Sequence, residues 1–558
     1  MLSFAAKMPT PQQGPTSKRG LHSTWVLAIA SLWMALVTNL PLWRQLEQLP
    51  ELGNARGLAF AAGFALLIAL ALSAVLCLFT WRWTLKPVIT LFFMAAAAGA
   101  YFMLTYGVVI DDTMMVNVMQ TDPREARDLL TWRLVATIGA LGLLPSIWLW
   151  RTPVQFVGWS RQAGRNILTL IVSLALLTGT LMLIFQDFSS IMRNHKQLRY
   201  QINPLNTLYA LGAVAAKPFQ RDNSVTLSIG MDAQAATLPL NPGKPPLLVL
   251  VVGETARSNN FALNGYERPT TPELAKQNVV SQRQAWSCGT NTAVSLPCMF
   301  SHLGRADFDG RAANYETLVD VLHRSGLAVL WIDNQSGCKG TCDRIPNVST
   351  SSLTVPGLCD NGECLDEIML RDLDQRIAAM PTERRARGVV VVMHQMGSHG
   401  PAYFKRSPVT HKKFLPECAS NAMQECSREQ IVNAYDNTIV YTDHFLSATI
   451  DWLKIAEKQS ATAMIYVSDH GESLGENNLY LHGLPYSVAP DVQKHVPWIT
   501  WLSPAFEHLR GFTSACLRKN VDKPVSHDNF FHSVLGALGV STSVYQKSLD
   551  IYSGCTTG

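Results

Sequence analysis

The stretch Leu247-Leu-Val-Leu-Val-Val-Gly-Glu-Thr-Ala-Arg257 runs from a continuous apolar segment directly into charged residues. Apolar runs of this length, rich in valine and leucine, are typical of strands buried on both faces of a parallel sheet. Three similar runs follow it, namely Leu327 to Ile332, Val389 to Met393 and Ala463 to Val467. They alternate with helix-like segments, which predicts an α/β domain with helices covering the sheet.

Chemically reactive residues follow three of these runs. Glu254 follows the first, His394-Gln-Met-Gly-Ser-His-Gly400 the third, and Ser468-Asp-His-Gly-Glu472 the last. Ligands of open α/β sheets bind beyond the carboxyl ends of the strands, so these residues are predicted to form one site. The alternative is a solvated Asp-His pair in an ordinary loop, which the coincidence of several such strand ends disfavours.

Such a site has the donors of a metal centre. Glu254, Asp469 and His470 offer two carboxylates and an imidazole, and Gly471 permits the turn that lets the last two face one ion. Ser287-Cys-Gly-Thr-Asn-Thr-Ala-Val-Ser-Leu-Pro-Cys298 adds two threonine hydroxyls between two cysteines. This donor set suits Zn²⁺, with Mn²⁺ as an alternative. A bound metal would favour a threonine alkoxide and make it a nucleophile.

The first third of the chain is apolar. Five runs reach the length of about 20 residues that a membrane-spanning helix needs: Ser23 to Trp43, Gly57 to Trp81, Pro87 to Val109, Thr131 to Trp150 and Arg165 to Phe185. A cleaved signal peptide is the alternative for the first run, but a small-residue cleavage site is missing. Basic residues precede the first run and fill the second-to-third and fourth-to-fifth connections. These segments should be cytoplasmic, which puts everything after Phe185 outside the cytoplasm.

A connector from Gln186 to Lys244 mixes basic, aromatic and apolar residues and then becomes rich in proline. The first composition is typical of an interfacial helix and the second of a domain boundary. We therefore predict a five-helix transmembrane domain at 1–187, interfacial helices and a linker at 188–243, and a catalytic domain at 244–558.

Ten of the eleven cysteines follow the last apolar run, and only Cys77 precedes it. An even number in an exported domain predicts disulfides. Neighbours in sequence suggest the pairs Cys288 with Cys298, Cys338 with Cys342, Cys359 with Cys364, Cys418 with Cys426, and Cys516 with Cys555. Connectivity does not follow from sequence alone. Zinc binding by these thiolates is the alternative, but no two CxxC-type pairs have structural-zinc spacing.

The formal net charge of +5 is spread over the chain without a basic and aromatic cluster. This pattern disfavours a nucleic-acid partner. The partners predicted are membrane lipids, and the chain is expected to be a monomer.

Five motifs carry a resemblance to a known family: Gly253 to Arg257, Leu263 to Pro272, Ser287 to Phe300, Gly397 to Pro401 and Ser468 to Glu476. They resemble the lipid A phosphoethanolamine transferases, the family that includes the mobile colistin-resistance enzymes. The resemblance extends over nearly the whole chain. It implies an alkaline-phosphatase-like, sulfatase-like domain that faces the periplasm from the inner membrane of a Gram-negative bacterium.

The resemblance also implies roles for particular residues. The nucleophile is the second threonine after the Cys-Gly pair, Thr292 rather than Thr290. The zinc ligands are Glu254, Thr292, Asp469 and His470. Lys339, His399 and His482 lie around the phosphoryl group or a second, labile metal, although each of them could instead be an ordinary surface or core residue.

The connection between the third and fourth apolar runs adds a candidate for substrate binding. Asn117, Thr121 and Glu125 are spaced four residues apart and would share one face of a helix. The resemblance places polar groups of this segment near the ethanolamine headgroup, where Glu125 could pair with an ammonium. The alternative is a solvated face, since Asp122-Pro123 is itself a helix-start signal.

One departure from the family concerns substrate recognition. The chain reads Asp333-Asn-Gln-Ser-Gly-Cys-Lys339, with Gln335 where the mobile enzymes have asparagine. The pair Cys338 and Cys342 is more similar to chromosomal members. The reaction type is unaffected, but recognition of ethanolamine or of the acceptor is in question.

The mechanism implied is double displacement. Thr292 attacks phosphatidylethanolamine and releases diacylglycerol, and a lipid A phosphate then takes the phosphoethanolamine group from the threonine. The added ammonium masks negative charge and would weaken binding of polymyxin-type cationic peptides. Three alternatives stay open: a Kdo, heptose or periplasmic glucan acceptor, a phosphoglycerol transferase of the lipoteichoic-acid type, and a membrane-tethered lipid-binding or sensor protein without activity.

Overall fold

The computed structural model describes residues 20–220, 222–236, 243–360 and 362–555. The side chains of Glu51, Arg124, Glu125 and residues 217–224 lie outside this description. The chain divides into two compact units, Met1–Tyr101 with Arg133–Leu205, and Phe102–Trp132 with Asn206–Gly558. The segment 102–132 thus belongs to the second unit. The boundaries predicted at 187 and 243 stay predictions, and residues 237–242 before the second boundary are not described.

The N-terminal helices are α1 (Ser23–Trp33), α2 (Leu40–Glu47), α3 (Ala55–Leu76), α4 (Leu85–Tyr106), α5 (Asp112–Gln120), α6 (Pro123–Asp128), α7 (Trp132–Ile138), α8 (Leu144–Arg151), α9 (Trp159–Asn194), α10 (Gln197–Tyr200) and α11 (Leu205–Gln220). Within the described residues, four helical segments are long and apolar enough to cross a membrane. They are Ala55–Phe79, Leu85–Tyr106, Trp132–Arg151 and Trp159–Asn194. A fifth is added if α1 and α2 form one bent span, so the predicted number of five stays a prediction.

The first apolar run is not one straight helix. A π-helical turn, Met34–Thr38, follows α1, and α2 departs at an angle of 50°. Pro41, which cannot donate a backbone hydrogen bond, lies in the first turn of α2. The Trp43 indole N–H donates to two carbonyls of the π-helical turn at 3.1 and 3.0 Å. The bend is therefore stabilised by its own hydrogen bonds, as membrane burial requires.

A pair of buried asparagines holds this bend. The Asn39 side chain donates to the Asn203 carbonyl at 2.6 Å and accepts from the Asn203 N–H at 2.8 Å. The Asn203 side chain in turn donates to the carbonyls of Thr38 and Ala96 at 3.1 and 2.6 Å. Polar side chains in an apolar bundle stabilise it when they bridge separate helices in this way.

Replacement of Asn39 by leucine should lower the free energy of unfolding of the first unit by about 1–2 kcal/mol, since two interhelical hydrogen bonds are lost. Denaturation of the purified chain in detergent measures this change. Thr178→Ala, at an exposed position of α9, is the control and should leave the midpoint unchanged. An unchanged midpoint for Asn39→Leu would show that the hydrogen bonds between Asn39 and Asn203, here called the clamp, do not contribute to the stability of the first unit.

Helix α9 is longer than predicted. Its 36 residues span about 54 Å, well beyond a hydrocarbon core of about 30 Å. The helix therefore continues past Phe185 to Asn194, where connector residues had been expected.

The second unit is built on a sheet of eight strands: β1 (Pro246–Gly253), β2 (Val280–Trp286), β3 (Ala328–Asp333), β4 (Asn347–Ser349), β5 (Val389–His394), β6 (Ala461–Ser468), β7 (His495–Leu502) and β8 (Val525–Ser526). The strand order is β8-β2-β7-β6-β1-β5-β3-β4. Among the described residues, five pairs of short strands, each strand two to six residues long, lie outside this sheet. They are Leu21–His22 with Val154–Gln155, Asp222–Leu227 with Ala313–Tyr315, Gln234–Ala235 with Val540–Ser541, Cys359–Asp360 with Glu363–Cys364, and Ser473–Leu474 with Tyr480–Leu481.

The four strands predicted from the sequence form the parallel centre of the sheet. β1 lies between β5 and β6 and is parallel to both, and β3 is parallel to β5. Every residue of these four strands is buried. Their carboxyl ends therefore meet at one edge, as their apolar composition predicted.

The remaining helices are α12 (Thr292–Met299), α13 (Arg305–Asp309), α14 (Leu318–Arg324), α15 (Leu373–Ala378), α16 (Thr382–Arg385), α17 (Arg428–Ala456), α18 (Pro504–Arg510), α19 (Ser514–Arg518) and α20 (Phe530–Leu538). α12, α14 and α20 pack with one face of the central strands in a single apolar core. The 29-residue α17 packs beside β6, and most of its residues are buried. The domain is thus layered, with helices around a central sheet.

Candidate active site

Strand register brings the two predicted carboxylates together. Gly253, the last residue of β1, pairs with Ser468, the last residue of the neighbouring β6. Glu254 and Asp469 follow these two residues directly and therefore lie side by side at the carboxyl edge. His470 continues the same loop, and its Nε2 lies 3.4 Å from Asp469 Oδ2 and 3.5 Å from Glu254 Oε1.

Thr292 reaches this group from the start of a helix. It is the first residue of α12, whose N-cap Asn291 accepts the Val294 N–H through its side chain. The Thr292 hydroxyl lies 3.1 Å from Glu254 Oε2 and 3.4 Å from His470 Nε2. A helix N-terminus favours negative charge, so this position suits an oxygen that bonds to a phosphoryl group.

Thr290 has a different orientation. Its hydroxyl donates to the Leu484 carbonyl at 2.7 Å and is buried. Of the two threonines between the cysteines, only Thr292 directs its oxygen at the acidic group. The nucleophilic role of Thr292 stays a prediction.

The site contains three buried carboxyl groups. Glu254, Asp469 and Glu472 are each 0% exposed. In the described part of the chain, no lysine or arginine forms an ion pair with any of them; only histidines do. Ligand atoms of Glu254, Asp469 and His470 lie within 4.8 Å of one another. Buried carboxylates need compensation, and this donor set fits a divalent cation.

The histidine has the protonation state of a metal ligand. Burial lowers the pKa of His470 to about 4, so the ring is neutral at neutral pH. Its Nδ1 donates to the Gly471 carbonyl at 2.9 Å, which leaves the Nε2 lone pair facing the carboxylates. Burial also raises the pKa of Asp469 to about 6, because its ionised form is poorly solvated there.

Backbone strain helps to shape the site. Thr255 has φ of 58°, an unfavourable left-handed conformation for a β-branched residue. Its N–H donates to Asp469 Oδ1 at 3.2 Å, and its carbonyl accepts the Tyr435 hydroxyl at 2.8 Å. These bonds hold the strained turn and fix Glu254 beside Asp469.

Gln335, the residue at which the chain departs from the mobile enzymes, contacts the cluster directly. Its side-chain N–H donates to Glu254 Oε2 at 3.1 Å. Lys339 lies nearby in the chain, but its ammonium donates to the Ser336 hydroxyl at 2.9 Å and the Gln120 carbonyl at 3.4 Å. The structure therefore brings Gln335 to the carboxylates and directs Lys339 toward α5.

His399 and His482 lie beside the acidic group. The ring of His482 lies 4.3 Å from that of His470 and 5.8 Å from that of His399. His482 Nδ1 lies 3.3 Å from Glu472 Oε1. Burial raises the pKa of Glu472 to about 8. This arrangement gives the site two imidazoles that can bind a phosphoryl oxygen, a proton or a metal.

Two further residues contact the site: the sequence placed His394 there without a role, and it gave no sign of Ser295. His394 ends β5, and its Nδ1 lies 3.0 Å from Asp333 Oδ2 at the end of β3. Burial disfavours its charged form, but Asp333 outweighs that effect and raises the pKa of His394. Ser295 donates to the Asp469 carbonyl and so joins α12 to the loop after β6. The strand-end position of His394 had indicated its place in the site, whereas Ser295 gives no such signal.

The predicted headgroup segment is not one continuous helix. α5 ends at Gln120, Thr121 is extended, and α6 begins at Pro123. Proline disfavours a helical residue before it, so the prediction of one shared helix face is wrong. The Glu125 side chain lies outside the described residues, and the headgroup role of Asn117, Thr121 and Glu125 stays a prediction.

This segment is nevertheless attached to the site. α5 packs against α12. Asp128, at the end of α6, accepts from Lys405 at 2.5 Å and lies 3.4 Å from the Arg406 guanidinium. Arg406 also donates to the His399 carbonyl at 3.1 Å. The segment is thus connected through Arg406 to one of the candidate phosphoryl-binding histidines.

The ten cysteines of the second unit form five disulfides, and they join the sequence neighbours suggested above: Cys288 with Cys298, Cys338 with Cys342, Cys359 with Cys364, Cys418 with Cys426, and Cys516 with Cys555. The first encloses both threonines and the start of α12. Cys77, which lies in the first unit, is a free and buried thiol.

Replacement of Cys288 and Cys298 by serine should reduce activity more than it reduces folding of the catalytic unit. A loop of this size loses roughly 3 kcal/mol of chain entropy on closure, and closure also fixes the approach of Thr292 to the carboxylates. Activity and thermal denaturation of the same preparation separate the two effects. Serine replacement of Cys418 and Cys426 is the matched control and should retain more activity.

Thiol labelling tests the same loop. At most Cys77 should react before reduction, and ten more cysteines should react after reduction. Rapid labelling of Cys288 or Cys298 in active, unreduced protein would contradict both the disulfide and its proposed role.

The comparison with protein families assigns the class of the catalytic unit. The Sulfatase family model matches residues 246–540, which begin at β1 and include Glu254, Thr292, Asp469 and His470. A second family model, described as Phosphoethanolamine transferase EptA/EptB, matches residues 68–219.

Similar proteins specify the family. Phosphoethanolamine transferase EptA of Salmonella typhimurium is 38% identical, over 95% of this chain and 96% of that protein. Phosphatidylethanolamine transferase Mcr-1 of Escherichia coli is 37% identical, over 87% and 90%. The solved integral membrane lipooligosaccharide phosphoethanolamine transferase A of Neisseria meningitidis has a TM-score of 0.91 and 35% identity, over 97% and 100%. The chain belongs to the phosphoethanolamine transferases, which confirms the predicted family and its membrane and sulfatase-like parts.

Proposed function

We propose that this protein transfers phosphoethanolamine from phosphatidylethanolamine to a phosphate of lipid A through a covalent intermediate on Thr292. The observation that carries the proposal is the Thr292 hydroxyl at the start of α12, 3.1 Å from Glu254 and 3.4 Å from His470. Membership of the phosphoethanolamine transferases supports the transferred group.

Glu254, Thr292, Asp469 and His470 are proposed to bind Zn²⁺, for which three oxygen donors and one imidazole nitrogen are a suitable set. The bound ion would lower the pKa of the threonine hydroxyl and neutralise charge on the phosphoryl group. Support comes from the buried carboxylates, which have no lysine or arginine partner among the described residues, and from the neutral His470 with its Nε2 directed inward.

The protein residues have separate tasks in the double displacement. Thr292 Oγ1 releases its proton to solvent and bonds to phosphorus while the bond to the diacylglycerol oxygen breaks. His482, backed by Glu472 at 3.3 Å, is placed to give a proton to that leaving oxygen. A lipid A phosphate oxygen then bonds to phosphorus, the bond between phosphorus and Thr292 Oγ1 breaks, and the threonine is regenerated. Lys339 and His399 are proposed to bind the phosphoryl group, with a second metal at the histidines as the alternative.

The proposed location is the inner membrane, with five spans and the catalytic domain in the periplasm. Five disulfides in the second unit support an oxidising compartment. Modified lipid A would carry less negative charge and bind polymyxin-type peptides less well. The expected monomeric state stays a prediction.

Mass spectrometry of lipid A from cells expressing the chain tests this proposal, with Thr292→Ala as the matched control. The expected result is phosphoethanolamine on a lipid A phosphate, absent from the control. Phosphoethanolamine on Kdo, heptose or a glucan would show that the acceptor is not a lipid A phosphate. A transferred phosphoglycerol group would show that the donor is not phosphatidylethanolamine. No modification by a well-expressed chain would contradict the proposal.

A further inference from the structure

An apolar groove of about 510 Å³ lies in the first unit between α2 and the start of α3. Trp43 and Leu46 line one side, and the small residues Gly57, Ala61 and Ala65 line the other. Small residues in membrane helices usually permit close helix packing. Here α2 does not pack closely against Gly57, Ala61 and Ala65, and the groove lies between them.

The groove results from the bend of the first span. The 50° departure of α2 separates it from α3, and the Asn39 and Asn203 clamp fixes that bend. Trp43, which lines the space, packs edge-on against Phe64 at 6.1 Å, and Phe64 packs edge-on against Phe188 at 5.8 Å. It is therefore a fixed apolar recess that only an apolar chain can fill favourably.

A polar recess of about 210 Å³ adjoins the groove, since Leu52 and Gly57 line both. It holds Arg56 and Asp187, whose side chains pair at 2.8 Å. A Cβ atom on Gly57 would lie only 2.2 Å from the Leu52 carbonyl oxygen, so this wall requires glycine. Glu47 is exposed at the margin of the apolar groove.

The mouth thus offers one cation and two carboxylates beside an apolar groove. Arg56 and Asp187 are paired with each other, and a lipid with a phosphate and a primary ammonium can replace that pair with one contact to each, while Glu47 is a second acceptor for the ammonium. Phosphatidylglycerol has no ammonium for the carboxylates, and a choline headgroup has no N–H to donate to them. The charges therefore favour an ethanolamine lipid.

We propose that the groove and its mouth bind one phosphatidylethanolamine molecule, with an acyl chain along Ala61 and Ala65, the phosphate at Arg56, and the ammonium at Glu47 and Asp187. The proposal rests on the proposed function only for the identity of the donor. It adds a lipid site in the membrane unit, built from residues outside the catalytic cluster. In the proposed topology, the 44–56 connection and the end of α9 face the periplasm, so the lipid would belong to the periplasmic leaflet.

Photocrosslinking tests the site in the full-length Thr292→Ala variant, which cannot consume the lipid. The probe is phosphatidylethanolamine with a photoreactive acyl chain, in nanodiscs of phosphatidylcholine. Labelled peptides should map to residues 36–65. Ala62→Trp, which fills the groove, should reduce this labelling about tenfold, whereas Ala175→Trp, exposed on α9, should not.

Headgroup selectivity is tested by competition. Unlabelled phosphatidylethanolamine should displace the probe, phosphatidylglycerol and phosphatidylcholine should do so at least about tenfold less well, and Glu47→Gln should weaken this preference. Labelling spread evenly over all spans, equal competition by the three lipids, or no effect of Ala62→Trp would overturn the proposal. Selective labelling in a chain whose wild type modifies no lipid A would uphold the lipid site and reject the proposed function. Transfer to lipid A without selective labelling would uphold the proposed function and reject the lipid site.

Discussion

Replacement of Thr292 by alanine is expected to reduce phosphoethanolamine transfer by on the order of 10⁴-fold or more, as removal of a catalytic nucleophile does in other enzymes. The structure gives the reason, because the Thr292 hydroxyl is the one between the two cysteines that faces Glu254 and His470. Turnover of fluorescent phosphatidylethanolamine by purified protein measures the loss.

Thr290→Ala is the matched control, two residues away in the same disulfide loop. Its hydroxyl donates to the Leu484 carbonyl, so the substitution removes a buried hydrogen bond worth about 1–3 kcal/mol and leaves the nucleophile in place. Measurable transfer should therefore persist. An inactive Thr290 variant together with an active Thr292 variant would show that the nucleophile is misassigned.

Alanine at Glu254, Asp469 or His470 is expected to lower zinc content and activity together. Loss of one ligand removes metal affinity and also leaves the remaining buried carboxylates without compensation. We expect zinc occupancy at limiting metal to fall by at least about tenfold. Elemental analysis and turnover of the same preparation measure both quantities, and a chelator should reproduce the loss of activity in the wild type.

Asp443→Asn serves as the control for these variants. Asp443 is also a buried carboxylate, but it accepts the N–H groups of Glu273 and Leu274 at 2.8 Å outside the cluster. Its replacement should leave zinc content unchanged. Full zinc occupancy with full activity in a Glu254, Asp469 or His470 variant would remove that residue from the proposed ligand set.

The central strands and the carboxylate cluster could be predicted because both depend on local sequence. A strand buried on two faces must be apolar throughout, and its end is visible where Glu254 or Asp469 begins. Parallel strands then bring such ends together. The disulfides are visible for a similar reason, since four of the five pairs are separated by ten residues or fewer.

Contacts that depend on long-range register could not be predicted. Gln335 reaches Glu254 from the loop after β3, two strands away from β1, and Ser295 reaches Asp469 from inside α12. Neither residue type suggests its partner. The bend at Asn39 was missed because hydropathy averages over a window, and one asparagine and one proline do not interrupt an apolar run.

Thr292 is expected to carry the transferred phosphoethanolamine group between the two steps. The most direct test is peptide mass spectrometry of the protein after incubation with phosphatidylethanolamine isotopically labelled in the ethanolamine, without acceptor, followed by acid quenching. The expected result is labelled phosphoethanolamine on Thr292, which disappears when lipid A is added. Label on Thr290 or another residue, or no labelled peptide under conditions in which the protein modifies lipid A, would contradict the account.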